Sequence, residues 1–181
     1  DLTIMTALSL ERPSWSNELE KRFLQPLVRR LFDGYEDLEY MKALRSNSMP
    51  KNIRLIELYC KAGSYLGVRP MQENYISSNY THIYRDIMDA GINVVAQLVN
   101  KRTVNGKRMF SLSCNPEVTL EAALALIEQN KSGRKVATIA QVNQNLPYMY
   151  GDAEIEPESC FTDVVDNEDY YYRLYSVPKK S

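Results

Sequence analysis

Two asparagines and a proline, Asn143, Asn145 and Pro147, follow a hydrophobic run that is typical of a buried strand. The run covers residues 136–142 and consists of apolar or small residues, a pattern of strands covered on both faces. Because proline lacks an amide hydrogen and asparagine side chains bond nearby backbone, the chain must turn here. Open α/β sheets bind ligands just beyond the carboxyl ends of their strands. Carboxamides at this place can donate hydrogen bonds to an acyl carbonyl or a carboxylate.

The same asparagines have a structural interpretation, in which both side chains only hold backbone groups of the turn. The residues alone favour this structural interpretation, and their position after a buried strand adds support to the functional one. Gly151 either lets a ligand approach the backbone or simply permits a positive φ, and the second use is the commoner one. Ser113 and Asn115 close another predicted strand, at 109–113, and can face the same crevice, although an asparagine before proline is more often a helix cap.

Other reactive side chains have no partner at a meaningful spacing. Cys114 has no neighbouring histidine, so we expect an inert buried thiol. His82, the single histidine, cannot by itself make a histidine-ligated metal site. The sequence also identifies no nucleophile that His82 would activate. Four basic residues surround a predicted tight turn at 105–106 and can contact phosphates, although a solvated loop is the simpler interpretation. They are Lys101, Arg102, Lys107 and Arg108.

Length and composition limit the class of protein. The chain has 181 residues, which suits one domain covering residues 1–181, and it begins with Asp1, as expected for a piece of a longer protein. Its 22 basic and 23 acidic residues nearly balance, which predicts neither nucleic-acid nor membrane binding. The three cysteines lack metal-ligand spacing, which predicts no metal site and reduced thiols in a cytoplasmic protein.

Predicted strands alternate with predicted helices, which favours an α/β fold with a mostly parallel open sheet and helices on both faces. The strands are expected at 2–7, 53–60, 92–99 and 136–142, and the helices over 38–44, 79–90 and 119–129. A further helix should begin near Ser14 or Ser16 and turn a stripe of apolar residues to the core. Pro26 should kink it or divide it in two. The stripe consists of Leu19, Phe23, Leu27 and Leu31.

The run into Asn143-x-Asn145-x-Pro147, followed by Gly151-Asp152, resembles the N-terminal half of the acetyl-CoA hydrolase/transferase family. Two other stretches resemble the same family in the same order. Residues 2–13 look like its early strand and turn, and residues 92–113 look like a strand, a glycine-containing loop and a Ser-Leu pair. The resemblance covers nearly the whole chain through short motifs.

The resemblance implies a CoA-transferase type of open sheet. Members of the family transfer coenzyme A between acyl groups or hydrolyse acyl-CoA, using a glutamate nucleophile that belongs to the second half. Residues 1–181 would then be a partial N-terminal half without a catalytic residue, inactive alone and completed by the C-terminal half of the same chain. Acyl-CoA and a small carboxylate would be substrates, and no cofactor would be bound. The resemblance leaves open whether the protein forms a homo-oligomer. The expected substrate-binding residues are Asn143, Asn145, Pro147, Gly151, Ser113 and Asn115.

Two stretches depart from the family pattern. Residues 100–105 replace a loop that is often rich in proline and aspartate, and Tyr148-Met149-Tyr150 replaces a basic or small polar residue. Both changes fall at the expected cleft, so the acyl group and the choice between hydrolase and transferase stay open. A non-catalytic ligand-sensing module and an assembly module on the same fold are the alternatives.

Overall fold

The computed structural model describes residues 1–114 and 117–175, with only the backbone of Glu117. These residues form two compact units, residues 1–82 with Tyr175 and residues 83–174. Each unit has its own hydrophobic core. Within the described ranges, no helix has the length and apolar character needed to cross a membrane.

The first unit contains a two-stranded parallel sheet and three helices. Its elements are β1 (Leu2–Thr6), α1 (Glu18–Leu31), α2 (Glu39–Arg45), β2 (Ile53–Glu57) and α3 (Arg69–Asn74). The two strands pair in register from Leu2 with Ile53 to Thr6 with Glu57. The core of this unit consists of Met41, Leu44, Leu55, Tyr65 and Met71.

Helix α1 differs from its prediction in its capping residue and in the exposure of its apolar side. Asn17 caps it, accepting a hydrogen bond from the Glu20 amide at 2.9 Å, so the helix starts near Ser16 as predicted but neither predicted serine is the cap. The helix continues through Pro26 as one element. None of its residues is buried, and the first two members of the predicted core stripe, Leu19 and Phe23, are 77% and 80% exposed. The pattern correctly predicted an amphipathic helix, but the apolar side of this helix is not buried in the core.

The second unit is built on a five-stranded sheet in the order β6-β4-β3-β5-β7. Strands β3, β5 and β7 run parallel, while β4 is antiparallel to β3 and β6. The α/β fold class is thus confirmed, with more parallel than antiparallel strand pairs in the two sheets. The elements are α4 (Ile83–Asp89), β3 (Val94–Val104), β4 (Lys107–Ser111), α5 (Glu117–Lys131), β5 (Ala137–Val142), β6 (Glu154–Ile155), α6 (Pro157–Cys160) and β7 (Asp163–Val165).

Helix α5 positions the central strands by packing on one face of this sheet. It contacts β3 and β5, and it also contacts α4 and α6, so these three helices form one layer. The residues of β5 alternate accordingly: Thr138, Ala140 and Val142 are fully buried, and the residues between them are half-buried. The strand predicted to be covered on both faces is therefore fully covered on one.

The tight turn at Asn105-Gly106 is confirmed. Both residues have positive φ, +51° and +79°, which matches the hairpin turn that Asn-Gly favours. Val104 pairs with Lys107 directly across it, because β3 extends five residues beyond the predicted end at Val99. The four basic residues near the turn consequently lie on paired strands instead of in a solvated loop.

Candidate functional site

Polar residues of the second unit lie at the edge where its parallel strands end. Asn143 follows β5, and Asp166 follows β7. Val99 of β3 pairs with Val142 of β5, which brings Asn100 next to Asn143 along this edge. The location agrees with the place where α/β sheets bind ligands.

Asn143 is completely buried and bonded to the chain itself. Its Oδ1 accepts from the backbone amide of Asn145 at 3.0 Å, and its Nδ2 donates to the carbonyl of Tyr172 at 3.0 Å. Its own amide donates to the carbonyl of Val99 at 2.8 Å. These are the contacts of the structural interpretation, in which the carboxamide holds the turn. A direct role in substrate binding stays a prediction.

Asn145 and Pro147 are exposed. The Nδ2 of Asn145 donates to the carbonyls of Tyr171 and Tyr172, both at 3.0 Å. Asn100 fixes the same turn from the neighbouring strand by donating to the Leu146 carbonyl at 2.5 Å. The turn therefore has an ordered backbone and a surface formed by Asn145 and Pro147.

Ser111, at the end of β4, fixes the next part of the loop. Its hydroxyl donates to the carbonyl of Met149 and accepts from the amide of the same residue, each at 2.9 Å. The buried Ser113 has a φ of +58°, and its hydroxyl donates to the sulfur of Cys114 at 3.6 Å. The Ser113 amide donates to the Ser111 hydroxyl at 3.1 Å, which places Ser113 near this loop. Asn115 lies outside the described residues.

Gly151 ends the loop with a φ of +73°, and a Cβ added there would meet no atom within 4 Å. Its conformation and not its size is therefore what the loop needs. We expect Gly151→Ala to lower the free energy of unfolding by about 1 kcal/mol, since the left-handed region disfavours a side chain. Gly151→Asn should cost less, because asparagine tolerates this region. Urea denaturation of both variants measures the difference, and equal costs would point to a steric cause instead.

Arg102, Tyr148 and Tyr150 form a stack beside the exposed turn. The guanidinium carbon lies 4.6 Å from the ring centroid of Tyr148 and 4.4 Å from that of Tyr150. Glu154 binds both ends of this group, pairing with Arg102 at 2.5 Å and accepting from the Tyr148 hydroxyl at 2.6 Å. Burial and the bond to Glu154 raise the pKa of Tyr148 to about 12, so its hydroxyl stays protonated at neutral pH. The group is thus held together by Glu154 and is aromatic and close to neutral.

Lys101 makes a second charged group at the same edge. Its ammonium contacts both carboxylate oxygens of Asp166, at 2.8 and 2.9 Å, and the Tyr171 hydroxyl donates to Asp166 at 2.8 Å. Although burial opposes the change, these bonds hold the pKa of Asp166 below its ordinary value. Carboxylates also face the other hairpin cations, in the pairs Arg102–Glu154, Lys107–Glu156 and Arg108–Glu158. Because acidic partners balance these cations, the hairpin offers little free positive charge to a phosphate.

Metal and thiol chemistry receive no support from the described residues. Across residues 1–114 and 117–175, histidines, cysteines and acids form no group of three or more that could hold a metal ion. The three cysteines are free. Cys114 is exposed, so its predicted burial is wrong.

The first unit contains a polar cluster that the sequence analysis missed, at the carboxyl ends of β1 and β2. Glu57 is completely buried and accepts from the Ser9 amide at 3.3 Å and from the Ser9 hydroxyl. The same hydroxyl lies 2.7 Å from that of Tyr40. Burial raises the pKa of Glu57. One feature of the sequence indicates this cluster: Glu57 is an acid at the end of an apolar strand. The alternation of charged and apolar residues along 53–60 concealed that feature.

The segment after β1 is fixed residue by residue. Glu57 holds Ser9, the Tyr35 hydroxyl donates to the carbonyl of Leu10 at 2.8 Å, and Arg45 pairs with Glu11 at 2.6 Å. Arg12 pairs with Asp37 at 2.5 Å, and both residues border a groove of about 380 Å³. The groove is lined by Arg12, Pro13, Ser14, Trp15, Val28 and Asp37. The first unit therefore also has an ordered loop beyond its parallel strands.

Neither a protein-family model nor a curated protein matches the sequence. Solved structures do match the fold. A point mutant of RipA aligns with 99% of this chain and 41% of its own length, with a TM-score of 0.55 and 18% identity. The fold is RipA-like. RipA from Yersinia pestis matches 71% of this chain and 28% of its own at a TM-score of 0.48 and 21% identity.

A 4-hydroxybutyrate CoA-transferase from Porphyromonas gingivalis matches 71% of this chain and 32% of its own, with a TM-score of 0.35 and 17% identity. The chain thus spans less than half the length of each of these structures. The alignment with the RipA mutant, at a TM-score of 0.55 and 18% identity, shows a similar fold and carries no activity from one protein to another.

Proposed function

We propose that this chain is the N-terminal part of an acyl-CoA hydrolase or CoA-transferase acting on acetyl-CoA or another short acyl-CoA. The glutamate nucleophile would belong to a second half outside residues 1–181. The observation that carries the proposal is the turn at 143–152. Its Asn-x-Asn-x-Pro and Gly-Asp motifs, which resemble the acetyl-CoA hydrolase/transferase family, follow a parallel strand at the sheet edge where ligands bind.

In this proposal the turn supplies one side of the substrate cleft, and its residues divide the work. Asn143 is buried and would position the loop, whereas the exposed Asn145 and Pro147 would touch the acyl-CoA. Both hydrogens of the Asn145 Nδ2 are taken by carbonyls, so the carboxamide would present its Oδ1, which accepts from an N–H or O–H of the ligand and does not donate to its acyl carbonyl. The side chain is already ordered, so binding would cost no further loss of rotamer freedom. Recognition of the phosphates would come from the missing half, since acids balance the nearby cations.

Binding of acetyl-CoA to the full-length protein tests the proposal by isothermal titration calorimetry. Asn145→Ala should weaken binding by about two- to tenfold, as expected for the loss of one hydrogen bond. Gln144→Ala is the matched control, because it shortens an exposed amide in the same turn. Equal affinities for the two variants would remove Asn145 from the binding surface. Catalysis by residues 1–181 alone, near the rate of the full-length protein, would contradict the division into two halves.

A non-catalytic ligand-sensing or assembly module is the second candidate. It is favoured by the way the chain satisfies its own polar groups, since both carboxamides bond the backbone of residues 145, 171 and 172. A full-length protein that binds a sugar phosphate but not acetyl-CoA would support the sensing module. Transfer of coenzyme A to a carboxylate, or hydrolysis of acetyl-CoA, would support the enzyme.

A further inference from the structure

Tyr150 presents an aromatic ring to solvent at the sheet edge where α/β proteins bind ligands. Its side chain is 68% exposed. The Arg102 guanidinium lies over the ring, with its carbon 4.4 Å from the centroid, and the Tyr148 ring packs against it with the two centroids 5.3 Å apart. Because these neighbours cover one face and one side of the ring, the other face is left open to solvent.

The ring is held by a group that keeps one buried donor unpaired. Glu154 pairs with Arg102 and accepts from the Tyr148 hydroxyl, which fixes the guanidinium against the rings. The Nε of Arg102 is buried and has no hydrogen-bond partner within residues 1–114 and 117–175. A buried donor without an acceptor costs free energy, and native structures keep few of them. The stack persists at this cost, so the ring is ordered before any ligand binds.

The ring lies near the turn at 145–147. Asn100 donates to the Leu146 carbonyl at 2.5 Å, and Arg102, which lies against the Tyr150 ring, is two residues further along β3. Residues two apart in a strand lie on the same face of the sheet, separated by about 7 Å. The ring and the turn are therefore close enough for one ligand to contact both.

We propose that the open face of Tyr150 stacks on the adenine ring of the acyl-CoA, an inference that rests on the function proposed above. Adenine is the aromatic part of coenzyme A, and exposed aromatic side chains bind nucleotide bases by stacking. Arg102 already occupies one face of the tyrosine ring, so a cationic ligand would gain little on the other. The Oδ1 of Asn145, in the same loop, offers an acceptor for the exocyclic amine of adenine.

Binding of acetyl-CoA to variants of the full-length protein, measured by isothermal titration calorimetry, tests the stacking. Tyr150→Ala should raise the dissociation constant about fivefold or more, as expected for the loss of one stacked base. Tyr150→Phe keeps the ring and should bind like the wild type. Tyr170→Ala is the matched control, since it removes a tyrosine ring that is 51% exposed in the same unit but outside the loop. Circular dichroism should show that all three variants remain folded.

Saturation-transfer difference NMR identifies the part of the ligand that Tyr150 touches. With wild-type protein, the carbon-bound protons of adenine should receive saturation, and Tyr150→Ala should reduce their signals relative to that of the acetyl methyl group. Equal affinities of the wild type and Tyr150→Ala would overturn the stacking, as would a loss of the methyl signal with the adenine signals retained. Both of these results would leave the proposed function intact, because acetyl-CoA would still bind.

AMP separates the stacking surface from the proposed function. A full-length protein that does not bind acetyl-CoA would contradict that function, and AMP would then decide the fate of the surface. Adenine signals from AMP that Tyr150→Ala reduces would assign the ring to free adenine nucleotides. The absence of AMP binding, together with that of acetyl-CoA, would overturn the stacking as well.

Discussion

Replacing Asn143 by alanine is expected to lower the free energy of unfolding by about 2–4 kcal/mol. The side chain is completely buried, and its removal leaves the amide of Asn145 without the oxygen that it bonds at 3.0 Å. It also removes the bond to the Tyr172 carbonyl, which joins segments 29 residues apart in the chain. The loss of a buried side chain costs more than the loss of an exposed bond, because it leaves a cavity and a donor that is partly shielded from water.

Asn145→Ala is the matched control, since it removes bonds to the same segment from an exposed side chain. We expect a loss of about 1 kcal/mol for this variant. Urea denaturation followed by circular dichroism measures both, and acetyl-CoA binding by folded Asn143→Ala separates positioning from contact. If Asn143→Ala were no less stable than Asn145→Ala, the side chain would not hold the turn, and its role in binding substrate would gain support.

Local patterns predicted the framework of the second unit, because the forces that form it are local. The Asn-Gly pair forms the hairpin through its backbone preferences alone, and the Ala- and Leu-rich segment at 119–129 forms the central part of α5. The hydrophobic run at 136–142 forms β5 within one residue of its predicted start. The turn beyond β5 followed from Asn143 and Pro147, whose chemistry excludes continuation of the strand.

The partners of the polar side chains were not predictable, because long-range packing determines them. Nothing near Asn143 in the sequence indicates that the Tyr172 carbonyl lies beside it. The hairpin cations looked solvated because their acidic partners lie up to 65 residues further on, as for Lys101 and Asp166. The short strand β7 was not predicted either, because it forms by pairing with β5 and its three residues give no local pattern.

Stability should fall as the pH rises through the titration of Glu57. Burial raises its pKa in the folded protein above the ordinary value of 4.5, so the folded state holds a proton that the unfolded state releases at lower pH. The stabilisation is complete below pH 4.5 and is lost as the pH rises through the raised folded value. Within that window the free energy of unfolding should fall by up to about 1.4 kcal/mol per pH unit.

The groups that face Glu57 do not compensate its charge. Tyr40 and Tyr65 are neutral near pH 7, and burial raises the pKa of both. Glu11 adds repulsion to Glu57, and the nearby Arg45 is paired with Glu11. Ionised Glu57 therefore depends on the Ser9 amide and on neighbouring hydroxyls for stabilisation, which is weaker than an ion pair in a buried place.

Glu57→Gln tests this explanation, because glutamine keeps the shape of the side chain and cannot ionise. Guanidinium denaturation between pH 4 and pH 8 should show that the falling limb present in the wild-type protein is lost in this variant. Glu39→Gln, in which a carboxyl exposed on α2 is replaced, should keep the wild-type pH dependence, since its side chain is 85% exposed. Identical profiles for the wild type and Glu57→Gln would mean that Glu57 titrates at its ordinary value, despite complete burial beside Ser9.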